Sequence, residues 1–433
     1  MKHPDRLPAL VFADSEGNIF DHPHLKMAVR RGLSIEPPQL EELIPLPAGS
    51  ELFVLPGTLP VGWDADRKRF ELFDADAGSA LAGQMPQAVA AFMAPAHTMT
   101  GLCAFEKLDP ASRPLPLFAY AAVGWWKGRF WAAGFRSDSD IRQDPERFNQ
   151  DKVAKKTMAL LRRFKKNRLI QHLGKCSLTY GCPAAKNLFL GRFEAPLPTS
   201  PVCNARCLGC LSSQPPDGPP ATQDRITFVP SPADIAETAL IHINRAKRPV
   251  VSFGQGCEGE PLMQASVLSK AVRKIRKRAP DKGTINLNTN ASRPDALAEV
   301  IEAGLDSIRI SLNSVRRRYY APYYRPKGYS FDDVLESWRL AKQEGLHVSL
   351  NLFVFPGLTD EAEEFQEICS LIDRFGLDLI QLRNHNIDPE WYLRSIGFEP
   401  SKEGALGILG LVRKLKMKFP GLRFGYFNPA LRD

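Results

Sequence analysis

The sequence lacks any apolar run long enough to cross a membrane, and its N-terminus lacks the apolar core of a secretory signal. A spanning helix needs about 20 consecutive apolar residues, and "MKHPDRLPALVFADSEGN" contains no such stretch. Cysteines are also scarce, with eight in 433 residues, which is unlike the disulfide framework of a small secreted domain. We therefore expect a cytoplasmic protein with no membrane partner, whose thiols are reduced or bind metal.

The overall composition excludes no class of globular protein. Hydrophobic residues make up 44% of the chain and charged residues 24%, as in an ordinary folded protein. The length exceeds that of one ordinary domain. The formal net charge of +9 permits a polyanionic partner without requiring one. Nucleic acid therefore stays open as a partner but is not favoured.

Residues 1–148 are predicted to form an accessory α+β region. Its short apolar runs, "ALVFAD" and "ELFVLPG", are typical of β-strands. The aromatic-rich segment 116–138 alternates in polarity on both sides of Lys127-Gly128. This pattern predicts a β-hairpin that turns at these two residues.

Residues 149–194 are predicted to form a basic helix and a linker. Apolar residues recur at helical spacing over 149–174, and the opposite face is basic. The basic side chains of that face are Lys155, Lys156, Arg162, Arg163, Lys165 and Lys166. We expect a solvated face, with binding to nucleic-acid phosphates as the alternative.

The remainder, residues 195–433, alternates short β-rich runs with helical runs. About six such β/α units predict a parallel sheet or a partial barrel. The predicted strands are one just before Cys203 and then residues 249–254, 284–290, 307–313, 347–355 and 379–384. The predicted fold class is therefore α/β, with a partial (β/α)6 TIM-like barrel preceded by the N-terminal α+β accessory region.

Several of these strands carry polar residues at every second position. Such positions share one face of a strand, and a tightly packed barrel would place Val, Ile and Leu there. The rows are Asn286, Asn288 and Asn290; Arg309 and Ser311; Ser349 and Asn351; and Gln381 and Arg383. They predict either a lumen that holds a polar ligand or a set of internal hydrogen bonds.

Three cysteines follow the first predicted strand with the spacing C-x3-C-x2-C, in "CNARCLGC" (203–210). A structural zinc site normally has four ligands, but the next cysteine after Cys210 is Cys257. Three thiolates on one loop can bind three irons of a [4Fe–4S] cluster and leave the fourth iron open. We expect Cys203, Cys207 and Cys210 to be such ligands, with a zinc knuckle as the alternative.

Residues 195–430 resemble the radical SAM superfamily, whose signature is this cysteine spacing after the first strand of a partial barrel. The segment "GCEGEPLM" (256–263) is similar to the family's Gly-rich Glu-Pro motif, and "NTNAS", "ISLNS" and "FVFPGLTD" are similar to patterns on later strands. The resemblance implies an enzyme that uses a [4Fe–4S] cluster and S-adenosylmethionine. One electron would cleave this cofactor to a 5′-deoxyadenosyl radical, which abstracts hydrogen from a substrate that the sequence does not identify.

The same resemblance implies roles for seven residues along the strands. Gly259 and Glu260 would bind the amino group of the cofactor, Asn288 and Asn290 its ribose, and Ser311 and Arg309 its carboxylate, while Asn351 is a further candidate. An electron donor such as flavodoxin or ferredoxin is implied as a partner. An iron–sulfur module that binds RNA or protein without turnover is the alternative function.

The other cysteines allow more than one interpretation. Cys257 lies within the Gly-rich motif, where it could donate a hydrogen atom or anchor a substrate, although a buried unreactive thiol is favoured. Cys103, Cys176 and Cys182 could hold a second metal centre, although structural cysteines are favoured.

Two further segments lie near the predicted mouth of the barrel. His385 and Asp388 follow the sixth strand and are candidates for an acid or a base, or for members of a loop hydrogen-bond network. The tyrosine-rich segment 316–326 is suited to stacking on bases or peptides, or to packing at the barrel wall.

Overall fold

The computed structural model describes residues 7–74 and 84–433. These residues form a large antiparallel sheet in the N-terminal part of the chain and a seven-stranded parallel sheet in the C-terminal part. Three helices lie between the two sheets in sequence. No helix among the described residues is both long enough and apolar enough to cross a membrane.

The N-terminal sheet pairs its strands in the antiparallel sense throughout the described residues. The strands are β1 (Ala9–Ala13), β2 (Ile19–Met27), β3 (Val29–Arg31), β4 (Ser34–Glu36), β5 (Leu43–Pro45), β6 (Glu51–Leu55), β7 (Thr58–Asp64), β8 (Arg69–Leu72), β9 (Gln87–Phe92), β10 (His97–Met99), β11 (Leu102–Cys103), β12 (Phe105–Lys107), β13 (Ala121–Trp126) and β14 (Arg129–Arg136). The main path of hydrogen-bonded neighbours runs β12-β7-β2-β1-β9-β13-β11-β3-β4.

The predicted hairpin is confirmed, while the helical content of this region is lower than expected. Strands β13 and β14 pair with Trp126 opposite Arg129, and Lys127 and Gly128 between them have φ angles of 50° and 74°. Positive φ at both turn residues suits the right-handed twist of the flanking strands. The described helical residues before 149 are confined to 3-10 turns at Leu40–Glu42 and Pro145–Arg147, so the helices of the expected α+β region follow the sheet.

The single helix predicted over 149–174 is wrong, because the chain forms two helices there. Helices α1 (Gln150–Arg163) and α2 (Arg168–Leu178) are separated by a short break, and α3 (Pro183–Leu190) follows. Asn167 explains the break: its Oδ1 accepts the Ile170 N–H at 3.0 Å and caps α2. Its Nδ2 donates to the Asp234 carbonyl, so the capped helix start is fixed to the next domain.

The parallel sheet has its strands in sequential order, as a partial barrel requires. It begins at β15 (Glu194–Pro196) and has one strand more than the six predicted, β21 (Arg423–Gly425). Between these lie the strands β16 (Val250–Phe253), β17 (Thr284–Thr289), β18 (Ser307–Leu312), β19 (His347–Val354) and β20 (Leu379–Asn384). The helices of this part are α4 (Pro232–Ile243), α5 (Ala265–Arg278), α6 (Pro294–Glu302), α7 (Arg317–Tyr324), α8 (Phe331–Gln343), α9 (Ala362–Phe375), α10 (Pro389–Ser395) and α11 (Ile408–Lys418).

The N-terminal sheet docks on the loops that follow β19 and β20. Asn384 accepts the Met99 backbone N–H at 2.8 Å and donates to the His97 carbonyl at 3.0 Å. The turn at Gly32 donates to the Pro356 carbonyl at 2.8 Å. These loops lie at the carboxyl ends of parallel strands, where barrel sites are built, so the N-terminal sheet lies beside the mouth of the barrel.

Candidate functional site

The three cysteines lie on a loop between β15 and α4 that has no regular structure. The last turn of α7 holds this loop, because the Arg206 N–H donates to the Tyr324 carbonyl at 2.9 Å and the Leu208 N–H to the Tyr323 carbonyl at 3.1 Å. The carbonyls at the end of a helix lack partners within the helix. Here they position the backbone around the cysteines.

Cys203, Cys207 and Cys210 are free, half-buried thiols that influence one another electrostatically. Burial, the Glu260 carboxylate and Cys210 raise the pKa of Cys203 to about 11, and burial followed by the other two thiols raises the pKa of Cys207. Deprotonating all three therefore requires compensating positive charge, which a metal centre provides. Arg225, which the sequence motif did not indicate, donates to Cys210 Sγ at 3.3 Å.

The chemistry of the three thiols fits a cluster. All three are free, half-buried cysteines on one loop. Fe–S clusters are held by cysteine thiolates. The donor set therefore fits a [4Fe–4S] cluster with three protein ligands.

Gly259 and Glu260 pair with the chain that leads into the cysteine loop. The Gly259 N–H donates to the Ser200 carbonyl at 2.6 Å, and the Glu260 N–H donates to the Val202 carbonyl at 2.9 Å. A Cβ at position 259 would lie 2.0 Å from the Val202 carbonyl oxygen. Only glycine allows the two loops to approach this closely.

The Glu260 carboxylate is buried and accepts three protein hydrogen bonds. The Thr289 hydroxyl donates to Oε1 at 2.6 Å, the Leu262 N–H to Oε1 at 3.0 Å and the Asn290 N–H to Oε2 at 2.8 Å. Burial raises the pKa of Glu260, and these donors oppose the shift. An ionised carboxylate offers about four acceptor positions, so the geometry leaves room for one further donor.

A second glutamate of the same motif, Glu258, has a structural role that the motif did not reveal. Its Oε2 accepts the Thr199 and Ser200 N–H groups at 2.7 and 2.9 Å, and its Oε1 accepts the Gly254 and Gln255 N–H groups at 2.7 and 2.8 Å. Four backbone donors on one buried carboxylate fix two loops against each other. Only the unusual pair of glutamates in "GCEGEP" could have drawn attention to it.

Part of the polar rows forms internal hydrogen bonds, which is the alternative considered for them. Asn286 donates to Asn288 Oδ1 at 2.8 Å and accepts from Ser307 Oγ at 2.8 Å. Asn428 donates to Glu194 Oε1 at 2.7 Å. These polar side chains therefore satisfy one another without a ligand.

Several buried polar atoms of β18, β19, β20 and the segment after β20 have no hydrogen-bond partner within the described part of the chain. They are Arg309 Nε, Asn351 Oδ1, Arg383 Nε and His385 Nε2. Burial and the neighbouring Arg383 lower the pKa of Arg309 to about 9. Arg309 Nη1 donates to Gln381 Oε1 at 2.9 Å, but its Nε and that of Arg383 are unpaired, and buried polar groups are normally paired. These two donors are therefore suited to a ligand group that bears a negative charge.

Among the remaining candidates for cofactor binding, Asn290 contacts the cysteine loop. Asn290 donates from Nδ2 to Asn204 Oδ1 at 3.0 Å, and Asn204 lies between the first two cysteines. Ser311 accepts from Asn351 Nδ2 at 3.1 Å. Asn288 donates from Nδ2 to the Gly254 carbonyl at 3.0 Å. The structure thus brings the candidates of β17, β18 and β19 to the same end of the sheet.

His385 lies beside the cysteine loop in an aromatic environment. A Cβ at Gly209 would lie 2.9 Å from Tyr323 Oη and 3.0 Å from His385 Cε1. Tyr323 and His385 therefore leave little room for a side chain at position 209. Burial lowers the pKa of His385 to about 3, so the ring is neutral near pH 7.

Asp388 and the tyrosine-rich segment both have packing roles. Asp388 is fully buried, pairs with Lys107 at 2.6 Å and caps α10 through the Glu390 and Trp391 N–H groups. These contacts match the loop network that was the alternative to acid–base chemistry.

The four tyrosines of α7, Tyr319, Tyr320, Tyr323 and Tyr324, are buried, as expected for packing at the barrel wall rather than for stacking on a ligand.

Among the cysteines outside the motif, Cys103 fits the structural role that was favoured for it. Cys103 is buried in the N-terminal sheet, where its thiol donates to the Val89 carbonyl and burial raises its pKa to about 12. Cys176 instead lies close to Cys257 and His172. Cys182 is the residue before α3.

Comparison with known proteins agrees with the site. Residues 197–372 match the family model of the radical SAM superfamily. A GTP 3′,8-cyclase of Chlorobaculum tepidum is 31% identical over 170 residues, which are 39% of this chain and 47% of that protein. A probable GTP 3′,8-cyclase of Halobacterium salinarum is 29% identical over 139 residues, covering 31% of this chain and 36% of that protein. The chain thus spans less than half the length of these curated relatives.

Solved structures resemble this chain only distantly. A methylornithine synthase superposes with a TM-score of 0.37 at 14% identity, covering 66% of this chain and 74% of that one. The [FeFe]-hydrogenase maturase HydG superposes with a TM-score of 0.38 at 13% identity, covering 65% and 66%. The family match over residues 197–372, together with the cysteine loop and the sequential parallel sheet, shows that this segment is similar to the radical SAM superfamily.

Proposed function

We propose that the protein is a radical SAM enzyme whose cluster is held by Cys203, Cys207 and Cys210. The observation that carries this proposal is the set of three free thiols on one loop at the carboxyl end of a parallel partial barrel. When bound, the [4Fe–4S] cluster would supply the electron that cleaves S-adenosylmethionine to a 5′-deoxyadenosyl radical, which abstracts hydrogen from the substrate.

In this proposal the loop after β16 binds the amino group of the cofactor. Gly259 brings the loop against the cysteine segment, and Glu260 offers the acceptor position left by its three protein donors. A carboxylate and an ammonium group form a charge-assisted hydrogen bond, which is stronger than a neutral one. Asn288 and Asn290 would contact the ribose from the end of β17.

Arg309 and Arg383 would bind an anionic group. The Nε atoms of Arg309 and Arg383 have no partner within the described residues, and the two guanidinium groups repel each other. A carboxylate between them would relieve this repulsion and supply acceptors. We assign that role to the cofactor carboxylate, together with Ser311 and Asn351, although an anionic substrate group has the same chemistry.

The N-terminal region, residues 1–148, is proposed to be an accessory domain that shields the mouth of the barrel. Its contacts with Asn384, Pro356 and Asp388 support this role, because Asn384 ends β20 and the other two residues lie in the segments after β19 and β20. Shielding matters because a reactive radical must be kept from water. Residues 149–194 would then form a helical connector, and residues 195–433 the catalytic barrel.

We propose no specific substrate, because none of the contacts in the described part of the chain is specific for one compound. The cyclase names belong to relatives of which this chain spans less than half. An iron–sulfur module that binds RNA or protein without turnover is not favoured, because those relatives carry enzyme names. We further propose that a flavodoxin or ferredoxin supplies the electron, and that the protein acts in the cytoplasm.

Anaerobic reconstitution with iron and sulfide tests the proposed cluster. The full-length protein should gain the brown absorbance and EPR signal of one [4Fe–4S] cluster, and Cys203→Ala, Cys207→Ala and Cys210→Ala should each abolish both signals. Cys369→Ala is a matched control, because Cys369 is a buried free thiol on α9. Failure to take up iron, combined with zinc that is lost on substitution of Cys203, would overturn the proposal.

A further inference from the structure

A second group of metal-binding side chains lies outside the cysteine loop. His172 and Cys176 on α2 and Cys257 in the loop after β16 bring one ring nitrogen and two Sγ atoms within 4.8 Å of one another. It is the one such group among the residues that the structure describes. Because Cys257 is distant in sequence, spacing alone could not reveal it.

The spacing of the donor atoms matches that of ligands around a single ion. His172 and Cys176 are four residues apart on α2, so they share one face of the helix. Cys176 Sγ lies 3.6 Å from His172 Nε2. Tetrahedral zinc with bonds of about 2.3 Å to sulfur and about 2.0–2.1 Å to nitrogen places these atoms roughly 3.5–3.6 Å apart.

The three donors are held on fixed backbone. Cys176 is buried, while His172 and Cys257 are half-buried. The Cys257 carbonyl accepts the Ile226 N–H at 2.8 Å, and the next residue, Glu258, is the carboxylate that accepts four backbone hydrogen bonds. A donor set of one imidazole and two thiolates is suited to zinc among the available divalent metals.

We propose that His172, Cys176 and Cys257 bind one zinc ion, separate from the cluster bound by Cys203 and its partners. The ion joins α2 to the loop that carries Gly259 and Glu260. With water as its fourth ligand, as at zinc sites that have three protein ligands, it tethers the helical connector to the cofactor loop. This inference does not depend on the proposed enzyme activity, because none of its ligands belongs to the cysteine motif.

Metal analysis of a variant without the cluster tests this inference. In the full-length chain with Cys203→Ala, Cys207→Ala and Cys210→Ala, iron binding at the cysteine loop is removed. We expect this protein still to contain one zinc ion per chain. After chelation it should take up one Co²⁺ ion, with the near-ultraviolet charge-transfer absorption of cobalt bound to thiolates. Binding by this parent is measured before any ligand is changed, so the test does not depend on the folding of further variants.

Substitution of the ligands then assigns the site. Adding Cys176→Ser, Cys257→Ser or His172→Gln to that background should weaken cobalt binding at least tenfold, whereas Cys369→Ser should leave it unchanged. Absence of zinc and cobalt from the parent would overturn the proposal. A disulfide between Cys176 and Cys257 in anaerobically purified protein would overturn it as well. So would unchanged cobalt binding after any one of the three ligand substitutions.

Discussion

The Glu258 carboxylate accepts the backbone N–H of Thr199 at 2.7 Å and so links the loop after β16 to the chain that enters the cysteine loop. The same carboxylate accepts hydrogen bonds from the backbone N–H groups of Ser200, Gly254 and Gln255. One buried residue therefore sets the distance between the segment that would hold the cluster and the segment that would hold the cofactor.

Glu258→Gln should destabilise the fold and loosen the cysteine loop. Glutamine has one acceptor oxygen, so its amide group would face two backbone N–H donors that then lack an acceptor. Leaving buried donors unpaired costs about 1–3 kcal/mol each, which should lower the free energy of unfolding by several kcal/mol in chemical denaturation. Glu367→Gln is the matched control, because Glu367 is exposed on α9. Equal stability of the two variants would contradict the role of Glu258.

Glu260→Gln should weaken binding of S-adenosylmethionine while leaving the cluster in place. A charge-assisted hydrogen bond contributes about 1.5–3 kcal/mol, which corresponds to a tenfold to hundredfold loss of affinity in calorimetry. Thr289→Val removes the hydroxyl that donates to Glu260 at 2.6 Å but keeps the carboxylate, so it should weaken binding less. If Glu260→Gln binds the cofactor as the parent does, the assignment of the loop after β16 is wrong.

The buried pair of Lys107 and Asp388 should control docking of the N-terminal sheet. Their side chains are 3% and 0% exposed, and the Nζ–Oδ2 distance is 2.6 Å. Lys107→Met leaves a buried carboxylate without its cation, which costs about 3–5 kcal/mol in known cases. The double variant with Asp388→Asn should recover part of this loss, because neither charge then remains. A cost below about 1 kcal/mol, the range of exposed pairs, would show that the pair does not hold the two parts together.

Stability should fall as the pH decreases below about 6.5, and His242 should account for part of the slope. The ring of His242 is fully buried, donates from Nε2 to the Phe193 carbonyl at 3.0 Å, and has a pKa lowered by burial to about 4. Between these two pH values the unfolded chain takes up a proton that the folded chain does not. The contribution of His242 to the free energy of unfolding is therefore complete above pH 6.5. It is lost at about 1.4 kcal/mol per pH unit as the pH falls towards 4.

Chemical denaturation at several pH values checks this slope. His242→Gln keeps a donor for the Phe193 carbonyl but cannot titrate, so its slope between pH 6.5 and 4.5 should be smaller by about one proton. An unchanged slope would show that His242 does not titrate in the unfolded chain alone.

The sequence predicted the parallel sheet well, because each β/α unit has a local signal: a short β-rich run followed by a run with helical spacing of apolar residues. The hairpin at Lys127-Gly128 was predictable for the same reason, since two residues determine the turn. The break between α1 and α2 was not, because the apolar period continues through it. Asn167 caps α2 by accepting the Ile170 N–H, and its contact with the Asp234 carbonyl of α4 exists only in the fold. Strand β21 was not predicted, because its three residues are too few to show a strand pattern.

The candidate site was predicted as far as its residues belong to a compact motif. Cys203, Cys207 and Cys210 are close in sequence, whereas Glu258 and Arg225 act through contacts that only the fold creates. The polar rows could not separate a ligand layer from an internal network, because both use Asn and Ser on alternate strand positions. The grouping of His172 with Cys257 depends on the docking of α2 and has no signal in the sequence.

Reductive cleavage of S-adenosylmethionine tests the central claim most directly. The reconstituted protein is incubated without oxygen with dithionite and the cofactor, and 5′-deoxyadenosine is measured by chromatography. The full-length protein should form 5′-deoxyadenosine together with methionine, and the variant with alanine at Cys203, Cys207 and Cys210 should form none. A protein that holds a complete [4Fe–4S] cluster at these cysteines, yet neither binds nor cleaves the cofactor, would contradict the account.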